Sequence, residues 1–320
     1  MRVRNRPLPS VLARLLPIVL AVSLLAAACL PATPEVVKIG LVAPFEGRYR
    51  EIGSDVIPAV RLAIHEWAAL NSGRGGRALA FELVSYDDEG DPLQAVEQAR
   101  KLASDPDVEI VIGHWLDSTS QAALPVYTAA DLRLITWITL PVDFPNAVLN
   151  LAPSQTSLQG AAERWLRQAE PGMLLLSGTG DVQEAVTMLE RAPRDQPVIG
   201  APVFGLAQFG ALAGEQADGV YYVTGNALPA DNVDLAGLDV ERFVQGFEEN
   251  SLGSPPGPLA ASAYVAAWVA MTEVAAAHGY PLPELPVAPL EFDEAGRRVS
   301  APIYLYRWQG GERVFAEQVR

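Results

Sequence analysis

Residues 36–42 read VVKIGLV and residues 79–86 read LAFELVSY; these two runs and the segment between them decide the fold. Each run is apolar and rich in β-branched residues, the pattern of a strand buried on both faces. After a loop over residues 43–52, Val56, Val60, Ile64 and Trp67 recur with Ala59, Ala63 and Ala68 at helical spacing and make one apolar face. The turn cluster at residues 71–76 ends that helix. Asp91 before Pro92 starts another, because Asp accepts free amides and Pro fits the first helical position. Leu93, Val96, Ala99, Leu102 and Ala103 form its buried face. Strands at 108–112 and 132–138 flank a helix at 120–130. Strand-helix alternation with continuously apolar strands means a parallel sheet covered on both faces.

The alternation resumes after Pro153. Leu158, Ala162, Trp165 and Leu166 suit a helix, and residues 173–176 a strand. Asp181 caps a helix carrying Val182, Val186 and Leu189. Residues 198–203 and 219–224 read as strands. Asp239 starts a helix with Phe243 and Phe247, and residues 259–278 form a long Ala-rich helix stopped by Gly279. Glu273, Thr272 and Ser262 interrupt that helix, which favours a core helix over a membrane span. Runs at 303–308 and 313–318 flank Gly310-Gly311 as a β-hairpin. The fold class expected is α/β, with two Rossmann-like lobes of parallel sheet joined by a multi-crossover hinge.

The N-terminus has a different character. Arg2, Arg4, Arg6 and Arg14 precede an apolar run of 14 residues, 15–28, which is short of a spanning helix. Ala26-Ala27-Ala28 then lead into Cys29, the single cysteine. The expectation is a signal peptide over 1–28, lipidation of Cys29, and a tether over 29–35. The lipidated chain acts outside the cytoplasm, anchored to the membrane. The formal charge is −15, and removing four arginines takes it to −15 − 4 = −19. That charge disfavours binding to nucleic acid or anionic lipid.

Several ordered segments carry a family resemblance: VKIGLVAPFEG (37–47), ELVSYDDEGDPLQAVEQARKL (82–102), IVIGHWLDSTSQAALPVY (110–127), NLAPSQTSLQGAA (150–162) and LEFDEAGRRVSAPIYLYRW (290–308). Together they resemble periplasmic binding proteins of type I, in particular the branched-chain amino-acid (Leu/Ile/Val) family that serves ABC transporters. The resemblance implies two lobes that close on a ligand by a hinge and deliver it to a membrane permease. Lobe 1 is expected over 36–145 and 228–290, and lobe 2 over 146–227 and 291–320. Lobe 2 is expected to be reduced, because two strand-helix units of the family are missing after residue 166. The resemblance also implies a monomer whose partners are a small molecule (an amino acid, amide or related compound) and an ABC permease. A sensory or partner-binding role on the same fold is the alternative.

The ligand site implied by the resemblance is altered. Asp117 stands where a carboxylate-binding Ser is expected, with Ser118 and Thr119 beside it. Leu140 replaces a Thr, Pro202 falls where an acidic partner for the ligand ammonium belongs, and an aromatic is absent near Ile52. An Asp facing a ligand carboxylate is unfavourable unless protonated or bridged. The candidate ligand residues are therefore Asp117, Ser118, Thr119, Trp115, Trp137, Thr139, Tyr49 and Phe204, with a ligand other than leucine, isoleucine or valine. In the competing reading, Asp117 caps the next helix and the tryptophans fill the lobe interface. Asp87, Asp88, Glu89 and Asp91 lack a calcium-loop pattern and read as a strand-end turn. Gly178-Thr179-Gly180 reads as a tight turn. His65, His114 and His278 form no evident triad with a serine, and no Gly-x-Ser-x-Gly or His-Glu-x-x-His motif is present. Neither a catalytic site, a metal nor a cofactor is expected.

Overall fold

The computed structural model describes residues 34–72, 79–138, 147–168, 174–176, 180–231 and 233–319. Cys29 with its leader, Thr139, Leu140 and the Gly178-Thr179 pair lie outside the described residues. In chain order the elements are β1 (Glu35–Ala43), α1 (Arg50–Asn71), β2 (Leu79–Asp87), α2 (Pro92–Ser104), β3 (Val108–Ile112), α3 (Asp117–Ala129), β4 (Arg133–Thr136) and β5 (Val148–Asn150). They continue with α4 (Gln155–Leu166), β6 (Leu174–Leu176), α5 (Val182–Arg191), β7 (Val198–Gly200), α6 (Ala207–Ala213), β8 (Tyr221–Thr224), α7 (Val240–Asn250), α8 (Ala260–Ala277), β9 (Ile303–Gln309) and β10 (Glu312–Val319).

The first sheet runs β2-β1-β3-β4-β5, and all its pairs are parallel. The second runs β10-β9-β8-β7-β6. Its β6, β7 and β8 are parallel, but β9 and β10 join antiparallel, so this sheet is mixed and not the parallel sheet expected. The hairpin turn at Gly310-Gly311 accounts for the β9–β10 pair, since a two-residue connection permits only antiparallel pairing. The β8–β9 pair is antiparallel because the chain re-enters the sheet from the opposite end. A second correction concerns the lobe boundary. β5, assigned by expectation to lobe 2, pairs with β4 in the first sheet. The chain therefore leaves that sheet after Asn150, and Asn150 also bridges Arg297 on a returning crossing.

Local signals explain the elements. Asp91 caps α2 by accepting from Leu93 and Gln94 amides at 2.8 and 3.0 Å, with Pro92 at the first helical position. Ser154, Asp181 and Asp239 cap α4, α5 and α7 in the same way. α8 is long and apolar enough to cross a membrane by length and composition, but most of it is buried inside the protein. It packs on α1, where Trp67 and Trp268 meet with ring centroids 5.9 Å apart. Trp67 also donates its indole N–H to the Leu79 carbonyl at 2.9 Å, so its polar edge is satisfied in the core.

A buried carboxylate fastens α1 to the start of α8. Asp55 accepts from the Gly257 amide at 2.9 Å and the Leu259 amide at 3.0 Å. Burial pushes its pKa up to about 7, although the two amides pull the other way. A carboxyl raised from its ordinary 3.8 to about 7 binds its proton more tightly folded than unfolded. Its contribution to stability is therefore full below about 3.8 and lost as pH rises through about 7. Between pH 5 and 8 the wild-type protein should lose stability relative to Asp55→Asn, by a few kcal/mol. Urea unfolding of both across that range checks this; parallel curves would sink it.

Candidate functional site

The site begins at the C-terminal end of β3. Gly113 has φ +139, a conformation that L side chains rarely adopt, and a Cβ there would lie 2.2 Å from the Val42 carbonyl oxygen. Its own amide donates to the Ile135 carbonyl at 3.0 Å. The chain can thus pass close against β1 before turning into α3. His114 follows and is buried. Its Nδ1 meets Asp88 Oδ2 at 2.7 Å and its Nε2 meets the Tyr127 hydroxyl at 2.9 Å. Burial, with the nearby Asp88 charge, pushes the Tyr127 phenol far above its usual range. Tyr127 therefore keeps its proton and shares a hydrogen bond with Nε2, while Asp88 accepts from Nδ1–H. The His114 carbonyl accepts from the Ser120 hydroxyl at 3.1 Å. This network lies beneath the segment that presents Trp115 and Asp117. It went unrecognised in the sequence because its members stand 13 and 26 residues apart.

Between the two sheets lies a cavity of about 700 Å³. Trp115, Asp117, Ser118 and Trp137 line it from the first lobe, together with Ile52 at the position where an aromatic is absent. Pro202 and Gly180 line it from the second. Trp115 and Trp137 pack edge to face with centroids 3.7 Å apart, and both indole nitrogens are buried without a partner. Asp117 is not a cap. The cap position of α3 is Leu116, and Asp117 is the first helical residue. Its Oδ1 is buried with no hydrogen-bond partner, and burial pushes its pKa up to about 6. The remaining expected residues lie elsewhere. Thr119 is fully buried and donates to the Leu116 carbonyl at 3.0 Å. Phe204 is a core residue stacked near Phe209. Tyr49 lines a smaller cavity of about 370 Å³ on the other side of Asp117.

Sequence reasoning missed the second-lobe wall. Tyr222 lines the cavity and stacks on Tyr306, with centroids 5.5 Å apart. Burial raises the Tyr222 phenol, so it presents an O–H. Tyr306 is fixed by donating to Asp231 and accepting from the Leu228 amide at 3.0 Å. Arg313 also reaches the cavity, but it is engaged across the cleft: Nη1 meets Glu51 Oε1 at 2.6 Å and the Gly205 carbonyl at 3.1 Å. Glu51 Oε2 accepts from the Ala207 amide at 2.7 Å, and Tyr49 donates to Asp181 at 3.4 Å. The lobes are thus hydrogen-bonded to each other across the cleft. The acidic run at 87–91 forms a strand-end turn: Asp87 accepts from the Phe45 and Glu89 amides, and Asp91 caps α2.

One parallel sheet, one mixed sheet, three crossings between them and a cavity at the strand ends give the two-lobed fold of type I periplasmic binding proteins. Residues 36–172 match the family model described as periplasmic binding protein. Over 105 residues the chain is 31% identical to the Leu/Ile/Val-binding protein of Escherichia coli K12, covering 33% of this chain and 28% of that protein. It is 26% identical over 201 residues to the Leu/Ile/Val-binding protein of Citrobacter freundii, covering 58% of this chain and 54% of the relative. The alignments thus span between about a quarter and a half of these relatives' length. A leucine binding protein from Thermotoga maritima shares the fold with TM-score 0.69 at 15% identity, over 89% of this chain and 99% of its own.

Proposed function

We propose that this chain is an extracytoplasmic solute-binding protein that captures a small molecule between its lobes and presents it to an ABC-type permease. The observation that carries the reading is the interlobe cavity, lined by residues of both lobes and holding an Asp117 carboxylate oxygen that no group among the described residues satisfies. A buried acceptor left without a partner is unfavourable, and a bound ligand is the group that can supply one. Hinge closure about the crossings, with the Glu51–Arg313 contact made in the closed form, would signal occupancy to the permease.

The ligand differs from leucine, isoleucine and valine. Their carboxylate has no counter-charge beside Asp117, and the second lobe offers Pro202 where an acid would meet their ammonium. The lobes divide as residues 36–150 with 228–290, and 151–227 with 291–320, moving the expected boundary past β5. The leader and lipid on Cys29 would hold the protein beside its permease as a non-enzymatic monomer.

Thermal unfolding of the purified protein against a panel of amino acids, amides, amines, aromatic acids and sugars tests the reading. A ligand at 100 times its Kd stabilises by about 2.7 kcal/mol, which moves the midpoint by a few degrees. At least one compound should do so and also reduce the radius of gyration in small-angle scattering. A leucine shift as large as any other would remove the altered-ligand reading. Silence of the whole panel on folded protein would remove solute capture itself.

A further inference from the structure

The cleft carries one unanswered charge. Among the described residues that line it, Asp117 and Arg313 are the charged ones, and Arg313 is already matched by Glu51. Asp117 has no cation, no amide and no hydroxyl on its buried oxygen. The rest of the lining is uncharged: Ile52, Leu158, Leu176, Val203 and Val223 give it aliphatic surface, and neutral polar groups such as Gln155 and Asn226 lie among them. Next to the carboxylate stand Trp115 and Trp137, whose ring faces are partially negative and attract a cation. Their unpartnered indole N–H groups are donors that an acceptor atom on the ligand can take up. The net charge of −15 favours the approach of cations over anions.

We infer that the ligand is an organic amine with a substantial apolar body, its ammonium group on Asp117 beside the Trp115–Trp137 pair and its body against the aliphatic walls. The inference rests on the solute-capture reading and adds the chemical class. A free α-amino acid fits less well: with its ammonium on Asp117, its carboxylate is held close to that same negative charge, and the described lining residues offer it neutral donors only. A polyamine fits less well by charge count, since the described lining residues offer one unengaged carboxylate for its several ammonium groups. At neutral pH Asp117 is mostly ionised, because burial raises it only to about 6.

The test is calorimetric titration of the purified full chain at pH 7.5 with matched amine, alcohol and carboxylate on hexyl, phenylethyl and indolylethyl bodies. For at least one body the amine should bind about tenfold or more tighter than both analogues. Asp117→Asn, which keeps the side-chain size, should bring that amine to the affinity of its alcohol while leaving the alcohol within about twofold. Lowering the pH from 7.5 to 5 should weaken the amine roughly tenfold in wild type, as the carboxylate protonates, and leave it flat in Asp117→Asn. The amine assignment is overturned if a carboxylate binds tightest, if no amine outbinds its alcohol, or if the preference survives Asp117→Asn; in those cases solute capture still stands. Absence of binding by the entire series overturns the amine assignment too. Solute capture falls with it only when the wider panel is also silent.

Discussion

Gly113→Ala should lower folding stability by roughly 3–5 kcal/mol, among the largest single-residue effects in this protein. Two separate terms add. The backbone at φ +139 is a region that a side chain enters only with strain, about 1–3 kcal/mol. The new Cβ would also stand 2.2 Å from the Val42 carbonyl oxygen, a backbone atom of the interior strand β1 that cannot swing aside. Forcing atoms into a packed core costs a further 1–3 kcal/mol or so. Gly310→Ala is the control, since Gly310 has φ +60 with nothing within 4 Å of its Cβ position. That variant should lose only about 1 kcal/mol. Urea midpoints of the two variants against wild type decide it. Equal losses would mean that the close approach of β1 and the 113–117 segment contributes nothing. Ligand affinity should fall along with stability, because Gly113 sets the exit of the chain toward Trp115 and Asp117.

Asp88→Ala should lose a comparable 3–5 kcal/mol or so, for a different reason. Asp88 and His114 are both fully or almost fully buried. Removing the carboxylate strands the His114 Nδ1–H and also the Gly90 amide, which donates to Asp88 Oδ1 at 3.0 Å. Each stranded buried donor costs about 1–3 kcal/mol. Tyr127→Phe removes only the far end of the same chain of hydrogen bonds and should lose less. A double-mutant cycle between the two positions should give a coupling of about 1 kcal/mol. Strict additivity would show that His114 does not transmit between them. Both variants should bind ligand more weakly, since the His114 carbonyl anchors Ser120 of α3 below Asp117.

How much of this was legible beforehand differs between elements. The β1–α1–β2–α2–β3 order could be read because each signal is local: a buried strand is apolar over its own length, and Asp91-Pro92 caps the helix that follows it. The antiparallel β9–β10 pair could be read from Gly310-Gly311, whereas the antiparallel β8–β9 pair could not, because its strands stand far apart in the chain. β5 was misassigned because three residues carry too little pattern to say which neighbour they pair with. At the site, Trp115, Asp117, Ser118 and Trp137 could be located from segment resemblance. Thr119 could not be excluded, because helical phase turns it inward while its neighbour Ser118 faces the cavity. Asp55 had one faint signal, a carboxylate within the otherwise apolar face of α1. Glu51 and Arg313 had none, being 262 residues apart.

The sequence alone determined the alternation of strands and helices, the caps that start them, and the presence of an acid at position 117. These depend on residues within a turn or two of one another, where propensity and periodicity act directly. Only the tertiary structure decided that Asp117 is an unpaired cleft carboxylate and not a cap, that Asp88, His114 and Tyr127 form one buried support beneath it, and that Glu51 and Arg313 meet across the lobes. Each of those depends on where burial and long-range contact bring distant polar atoms together. The sequence lists those atoms, but only packing determines which of them find a partner and which are left for a ligand.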